Sequence, residues 1–178
     1  YMTIDRGIER RNTQKLFNMA HIAAETADMY LSTGLRNYVK TAAGSAHAAA
    51  EYAAEYAAEE EDSSFRTRLG EMLEAGIAGI PDTYGYTAAF TSEGTFIVPP
   101  SSKAPGSVPD QLLRKAGSAQ NAYVEYQWSG PSGEGEQLMT GYITYFEPRD
   151  IYLLSSVYKD KAEQILSSEY LDTLFSFL

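Results

Sequence analysis

Residues 122–131 read Ala122-Tyr123-Val124-Glu125-Tyr126-Gln127-Trp128-Ser129-Gly130-Pro131. Up to Trp128 the run is rich in aromatic and β-branched residues, with polar Glu125 and Gln127 at alternate places. Ser-Gly-Pro then stops it. That is the pattern of a half-buried β-strand ending in a turn. Alternation puts Val124, Tyr126 and Trp128 on one face. Residues 129–135 (SGPSGEG) are permissive turn residues. Gln137–Phe146 then reads as a further strand, and Glu147-Pro148-Arg149-Asp150 separates it from Ile151–Tyr158. Three strands joined by short turns are antiparallel neighbours.

Working outward, Tyr84–Phe90 and Thr95–Val98 are β-rich and joined by Thr91-Ser92-Glu93-Gly94, a hairpin signal. Alternation groups Tyr86, Ala88 and Phe90 on one face, and Tyr142 with Thr144 in the fourth strand. Pro99–Pro109 is a Pro/Ser/Gly loop. Asp110–Ala116 is a short helix stopped by Gly117. A last helix starts at Lys159 and turns apolar at Leu171, Leu174, Phe175, Phe177 and Leu178.

Residues 4–62 contain no Pro and are rich in helix formers. Leu16, Met19, Ala20, Ala23, Ala27, Tyr30 and Leu31 recur at helical steps. One continuous helix would be roughly 90 Å long, about twice the width of a domain this size. It therefore projects as a stalk or breaks, and Ser32-Thr33-Gly34 and Gly44-Ser45 are the weak points. The face from Ala42 to Ala58 is nearly all Ala and is expected to pack on another helix, from this chain or a second copy. Glu51, Glu55 and Glu59 align beside Tyr52 and Tyr56. They read as a solvated acidic face next to a tyrosine pair, with a binding ridge as the alternative. Asp62-Ser63-Ser64 caps a second helix from Phe65 to about Ile80, ended by Pro81-Asp82. The expectation is an α+β fold, a five-stranded antiparallel sheet carried on a long N-terminal helix.

Formal charge is −10 over 178 residues. Residues 1–40 hold six basic and four acidic groups, residues 41–83 two and nine, and residues 84–178 six and eleven. No basic surface is concentrated enough for nucleic acid or for an anionic lipid surface. Without cysteine there are no disulfides, thiolate metal sites or cysteine nucleophiles, which suits an oxidising compartment. No apolar run reaches the ~20 residues of a membrane span. The polar start, Tyr1 to Arg11, is no signal peptide, and the sequence reads as a piece of a longer protein.

Catalysis has little to stand on. His21 and His47 both fall on the long helix with no metal-ligand spacing. No nucleophile elbow appears. Gly130-Pro131-Ser132-Gly133 lacks the lysine and helix of a phosphate loop, and Glu134 and Glu136 fall in a turn of ordinary solvated carboxylates. No catalytic residue, metal or cofactor is assigned. Rings at Tyr86, Tyr126, Trp128 and Tyr142 can serve as plain core or as the apolar wall of a pocket.

Gly85-Tyr86, Gly94, Val124–Pro131, Tyr142-Ile143-Thr144-Tyr145-Phe146-Glu147-Pro148 and Ser155-Ser156-Val157-Tyr158-Lys159-Asp160 follow the order and spacing of a known family. The chain resembles single Cache domains, the extracytoplasmic sensing domains of chemoreceptors and membrane-bound kinases. The resemblance covers residues 60–165 in detail and the first helix in kind. It implies a PAS-like sheet and residues 1–62 as a stalk descending from a transmembrane segment. Residues 63–166 would be the sensing domain, and 167–178 a helix leading to a second transmembrane segment. It also implies a small carboxylate or amino-acid-like metabolite as ligand, and the alanine-rich face of the long helix adds the expectation of a homodimer through that helix. Tyr86, Tyr126, Trp128 and Tyr142 fall at its pocket positions, with Ala88 and Thr144 beside them.

Three positions depart from the family pattern. Ala88 stands for a frequent aromatic, Pro99-Pro100 for His-Pro, and Met139 for a frequent lysine. Two polar anchors for a carboxylate are therefore missing, and Arg114, Lys115 and Lys103 are the cations available to replace them. The expected pocket is roomier and less cationic, favouring a larger or neutral ligand. The alternative is a protein-interaction domain of a membrane receptor with no small-molecule ligand.

Overall fold

The computed structural model describes residues 2–57, 62–100, 107–129 and 135–167. The chain divides into two units, residues 1–34 and 35–178.

Helix α1 (Met2–Tyr56) is one uninterrupted α-helix of 55 residues. Neither expected weak point breaks it. A glycine inside a helix costs only about 1 kcal/mol relative to alanine. The nearby hydroxyls bond to their own helix, as Thr41 Oγ1 does to the Asn37 carbonyl at 2.9 Å. In the first unit every side chain from Ile8 to Tyr30 is exposed, including Leu16, Met19, Ile22 and Tyr30.

In the second unit, α1 is buried at Leu35, Val39, Ala42, Ala46, Ala49, Ala50 and Ala53, as is Ala57 just past its end. This spacing is one helical stripe. It packs within the chain, against the sheet and helix α2 (Asp62–Glu74) through Phe65, Leu69 and Leu73. The small side chains let backbone approach backbone. At the end of α1, Arg149 binds the Asp62 carboxylate at 2.7 Å and the Ala57 carbonyl at 3.4 Å, with its guanidinium 4.8 Å from the Phe65 ring.

Five strands follow: β1 (Gly85–Thr91), β2 (Phe96–Val98), β3 (Asn121–Trp128), β4 (Gln137–Phe146) and β5 (Ile151–Tyr158). All neighbours are antiparallel, in the order β2-β1-β5-β4-β3. The β1–β2 hairpin turns at Gly94, whose φ of 90° is open to glycine and rare for other residues. Helix α3 (Asp110–Ser118) precedes β3 and runs through Gly117 rather than stopping there.

The end of α2 departs from expectation. It stops at Glu74, not near Ile80. Gly76 takes a φ of 79°, its N–H bonds to the Leu73 carbonyl, and the Ile77 N–H reaches back to the Met72 carbonyl. That paired closure is a Schellman cap. Residues 75–82 are therefore irregular chain, with Ala78 and Ile80 buried and the Gly79 carbonyl accepting from the Tyr38 hydroxyl at 2.9 Å. Residues 162–167 are helical. The expected apolar end at Leu171–Leu178 lies outside the described residues, as do Lys103, Glu134 and the segment 130–133.

Candidate ligand-binding cavity

The sheet has two differently built faces. One bears Ala89, Val98, Phe146, Ile151 and Leu153 and packs on α1 and α2. The other bears Tyr86, Ala88, Phe90, Val124, Tyr126, Trp128, Met139, Ile143 and Leu154, covered by Leu112 and Ala116 of α3.

The strand register explains how two phenols meet in the middle of this second face. Tyr86 of β1 pairs with Ser156 of β5, Ser156 with Gly141 of β4, and Gly141 with Val124 of β3. The two central residues of that row are the smallest available. A Cβ on Gly141 would lie 2.3 Å from Ser156 Oγ. Over this low floor the Tyr86 hydroxyl donates to the Tyr126 hydroxyl, which donates to Ser156 Oγ at 2.8 Å. Burial holds both phenols protonated well above the ordinary phenol range, and for Tyr86 the neighbouring Tyr126 adds to the effect.

Beside this trio opens a cavity of about 590 Å³. Its walls are the turn after α2, the start of β1, the Pro99-Pro100 end of β2, and the rings of Tyr86, Trp128 and Tyr158. The Tyr86 and Trp128 rings meet nearly edge-on, 4.9 Å apart. Two carboxylates, Glu74 and Asp82, line it. No Lys, Arg or His lines it among the described residues.

The expected site residues divide into five groups. Tyr86 and Trp128 come together on the cavity. Tyr126 lies behind them, only 1% exposed, and reaches the site through the Tyr86 hydroxyl. Ala88 is fully covered, so the space expected above it is closed, and the cavity lies instead at the strand ends. Tyr142 and Thr144 are on the opposite face. Alternation grouped them correctly with each other, but the phase of β4 turns Met139 and Ile143 toward the cavity side. Tyr142 packs instead with Tyr123 in the cluster of Leu35, Val39 and Ala42 from α1, with Lys40 6.0 Å from its ring. Arg114 and Lys115 are exposed on α3 and do not line the cavity.

Sequence reasoning missed Tyr158, Glu74 and Asp82. Tyr158 had a signal, since β5 alternation places it on the face of Ser156. The two acids had none, because their place depends on where α2 ends. Among the described residues no cluster of metal-ligating side chains exists, and no helix is long and apolar enough to cross a membrane.

No protein-family profile matches the sequence, and no curated protein is similar to it. Solved structures are. A periplasmic sensor domain of a chemotaxis protein aligns at 18% identity and TM-score 0.56, covering 72% of this chain and 96% of that one. A Cache chemosensory domain described for its carboxylic acid recognition aligns at 18% identity and TM-score 0.52, covering 75% and 97%. The chain has the Cache sensor fold.

Proposed function

We propose that this chain is the extracytoplasmic sensing module of a transmembrane signalling receptor and takes a small organic metabolite in the cavity between Tyr86 and Trp128. One observation carries the reading: on a sensor fold, a 590 Å³ space is walled by two nearly buried aromatic rings beside an otherwise close-packed face. Such a concave site, apolar with a few polar groups, is a typical small-molecule site. Binding rather than catalysis fits the surroundings. His21 and His47 each sit on α1 against a glutamate one turn away, Glu25 and Glu51, and neither lines the cavity.

Signal would pass from cavity to helix. A ligand touching Tyr86 engages the hydrogen-bonded chain through Tyr126 to Ser156 on the central strand β5. Behind the sheet lies the alanine stripe of α1. Small side chains interlock weakly, so two helix positions of similar energy are accessible there. In this reading residues 1–62 are the stalk, 63–166 the sensing domain and 167–178 the lead to the membrane. The exposed stripe Leu16, Met19, Ile22 and Tyr30 is covered by a second copy in a homodimer.

The protein-interaction reading also has an observation in its favour: the centre of the α3-covered face, at Ala88 and Tyr126, is filled by the chain's own side chains. Thermal melting separates the two. Against a panel of small acids, amines and polyols, a sensor gains stability by mass action, about 2.7 kcal/mol at a hundredfold excess over Kd. Trp128→Ala should abolish that gain. A panel without any stabilising compound favours the interaction reading.

A further inference from the structure

Resting on the ligand-sensing reading, we propose that the cavity selects small organic cations: an ammonium group carrying a neutral hydroxyl or ether oxygen nearby. Four features of the cavity converge on this. Among the described residues its only charged lining groups are the carboxylates of Glu74 and Asp82, and neither is ion-paired there. Helix α2 ends at the wall through Leu73 and Glu74 and presents the negative end of its dipole there. Three aromatic residues, Tyr86, Trp128 and Tyr158, line it, and an ammonium group is attracted to rings of this kind. The Trp128 indole N–H makes no hydrogen bond among the described residues and is not one of their buried unpartnered atoms, so it is open to an acceptor oxygen, from water or from a ligand.

An organic anion satisfies only the last of these. It would give up its water beside two like charges, with no cation among the described lining residues to offset them. A neutral compound uses the rings and the indole N–H but leaves the carboxylates unanswered. A cation bearing an acceptor oxygen uses all four. The carboxylates are exposed to solvent, so the preference should weaken as salt rises.

Three probes of one shape and different charge test this on the whole 178-residue chain: choline, its uncharged carbon isostere neohexyl alcohol, and tert-butylacetate. Calorimetric titration at low salt should rank choline tightest, by about tenfold over the alcohol, with the carboxylate weakest. The double variant Glu74→Gln/Asp82→Asn should narrow the gap between choline and the alcohol without lowering the ligand-free melting temperature, since it removes a negative charge from the C-terminal end of α2. Fluorescence of Trp128 gives a readout without any ligand: the ratio of caesium to iodide quenching should fall in the double variant. The proposal is overturned if the alcohol or the carboxylate binds as tightly as choline, or if neither the choline gap nor the quenching ratio responds to the double variant. Where these fail but Trp128→Ala still weakens every probe, the sensing cavity stands and only its charge selectivity is lost. If no probe binds, the cation proposal falls, and the sensing reading is decided by the wider melting panel.

Discussion

Two aromatic pairs sit on opposite faces of one sheet with almost the same spacing. Tyr123 and Tyr142 have ring centroids 4.8 Å apart, and Tyr86 and Trp128 4.9 Å. Their surroundings differ. The first pair lies under α1, with the Arg36 guanidinium 5.0 Å from Tyr123 and Lys40 6.0 Å from Tyr142. The second borders an open cavity with two carboxylates and, among the described residues, no cation. On the α1 face the chain supplies its own cations to its rings, and the aromatic residues there are packing. On the cavity face the rings lack such partners, and there an incoming molecule has something to do. Aromatic content alone does not separate core from site; what the rings still lack does.

The largest expected effect attacks the packed face. Phe65 is 2% exposed, stacks 6.1 Å from Phe146 and lies under Arg149. Phe65→Ala should cost about 3–5 kcal/mol in urea unfolding. Retained stability would mean that the α1 side is not the main core.

A smaller loss is expected on the cavity face. Tyr126→Phe takes the donor from buried Ser156 and the acceptor from Tyr86, and should cost about 1–3 kcal/mol. Both phenols titrate at higher pH in the folded chain than in the unfolded one. Above the ordinary phenol value near 10, the folded state holds more protons, so stability should fall as pH rises through that point and be unaffected below it. Melting temperature measured from neutral to strongly alkaline pH checks this, and Tyr126→Phe should flatten the alkaline fall. An equal fall in the variant would contradict the assignment.

The smallest effect has the opposite sign. Thr140 and Thr144 are buried on the α1 side with hydroxyls that find no partner among the described residues. Thr144→Val should leave stability unchanged or raise it by up to about 1 kcal/mol. A clear loss would show that the hydroxyl is satisfied.

Much of this fold is legible in the sequence because strands print their period directly. The three from residue 121 to 158 match their expected limits to within a residue. Alternation also says which residues share a face: Tyr86 with Ala88, Tyr126 with Trp128, Tyr142 with Thr144. It does not say which of the two faces a given strand turns toward the helix. That phase is set by register with neighbouring strands, and so Tyr142 and Thr144 were expected on the wrong side. The acids were hidden for a different reason. Pro81 is the more obvious helix stop, but Gly76, in the left-handed conformation, closes α2 at Glu74 first. The segment this frees carries Asp82 to the cavity wall.

The most direct test uses the only tryptophan in the chain. Trp128 lines the cavity, so its emission reports occupancy there. Titrating choline should give a saturable change in Trp128 fluorescence, with the same midpoint as calorimetry, in the native chain and in Tyr142→Phe alike. Binding by calorimetry with silent Trp128 emission, or a response abolished by Tyr142→Phe, would contradict the claim that the α3-covered face holds the ligand.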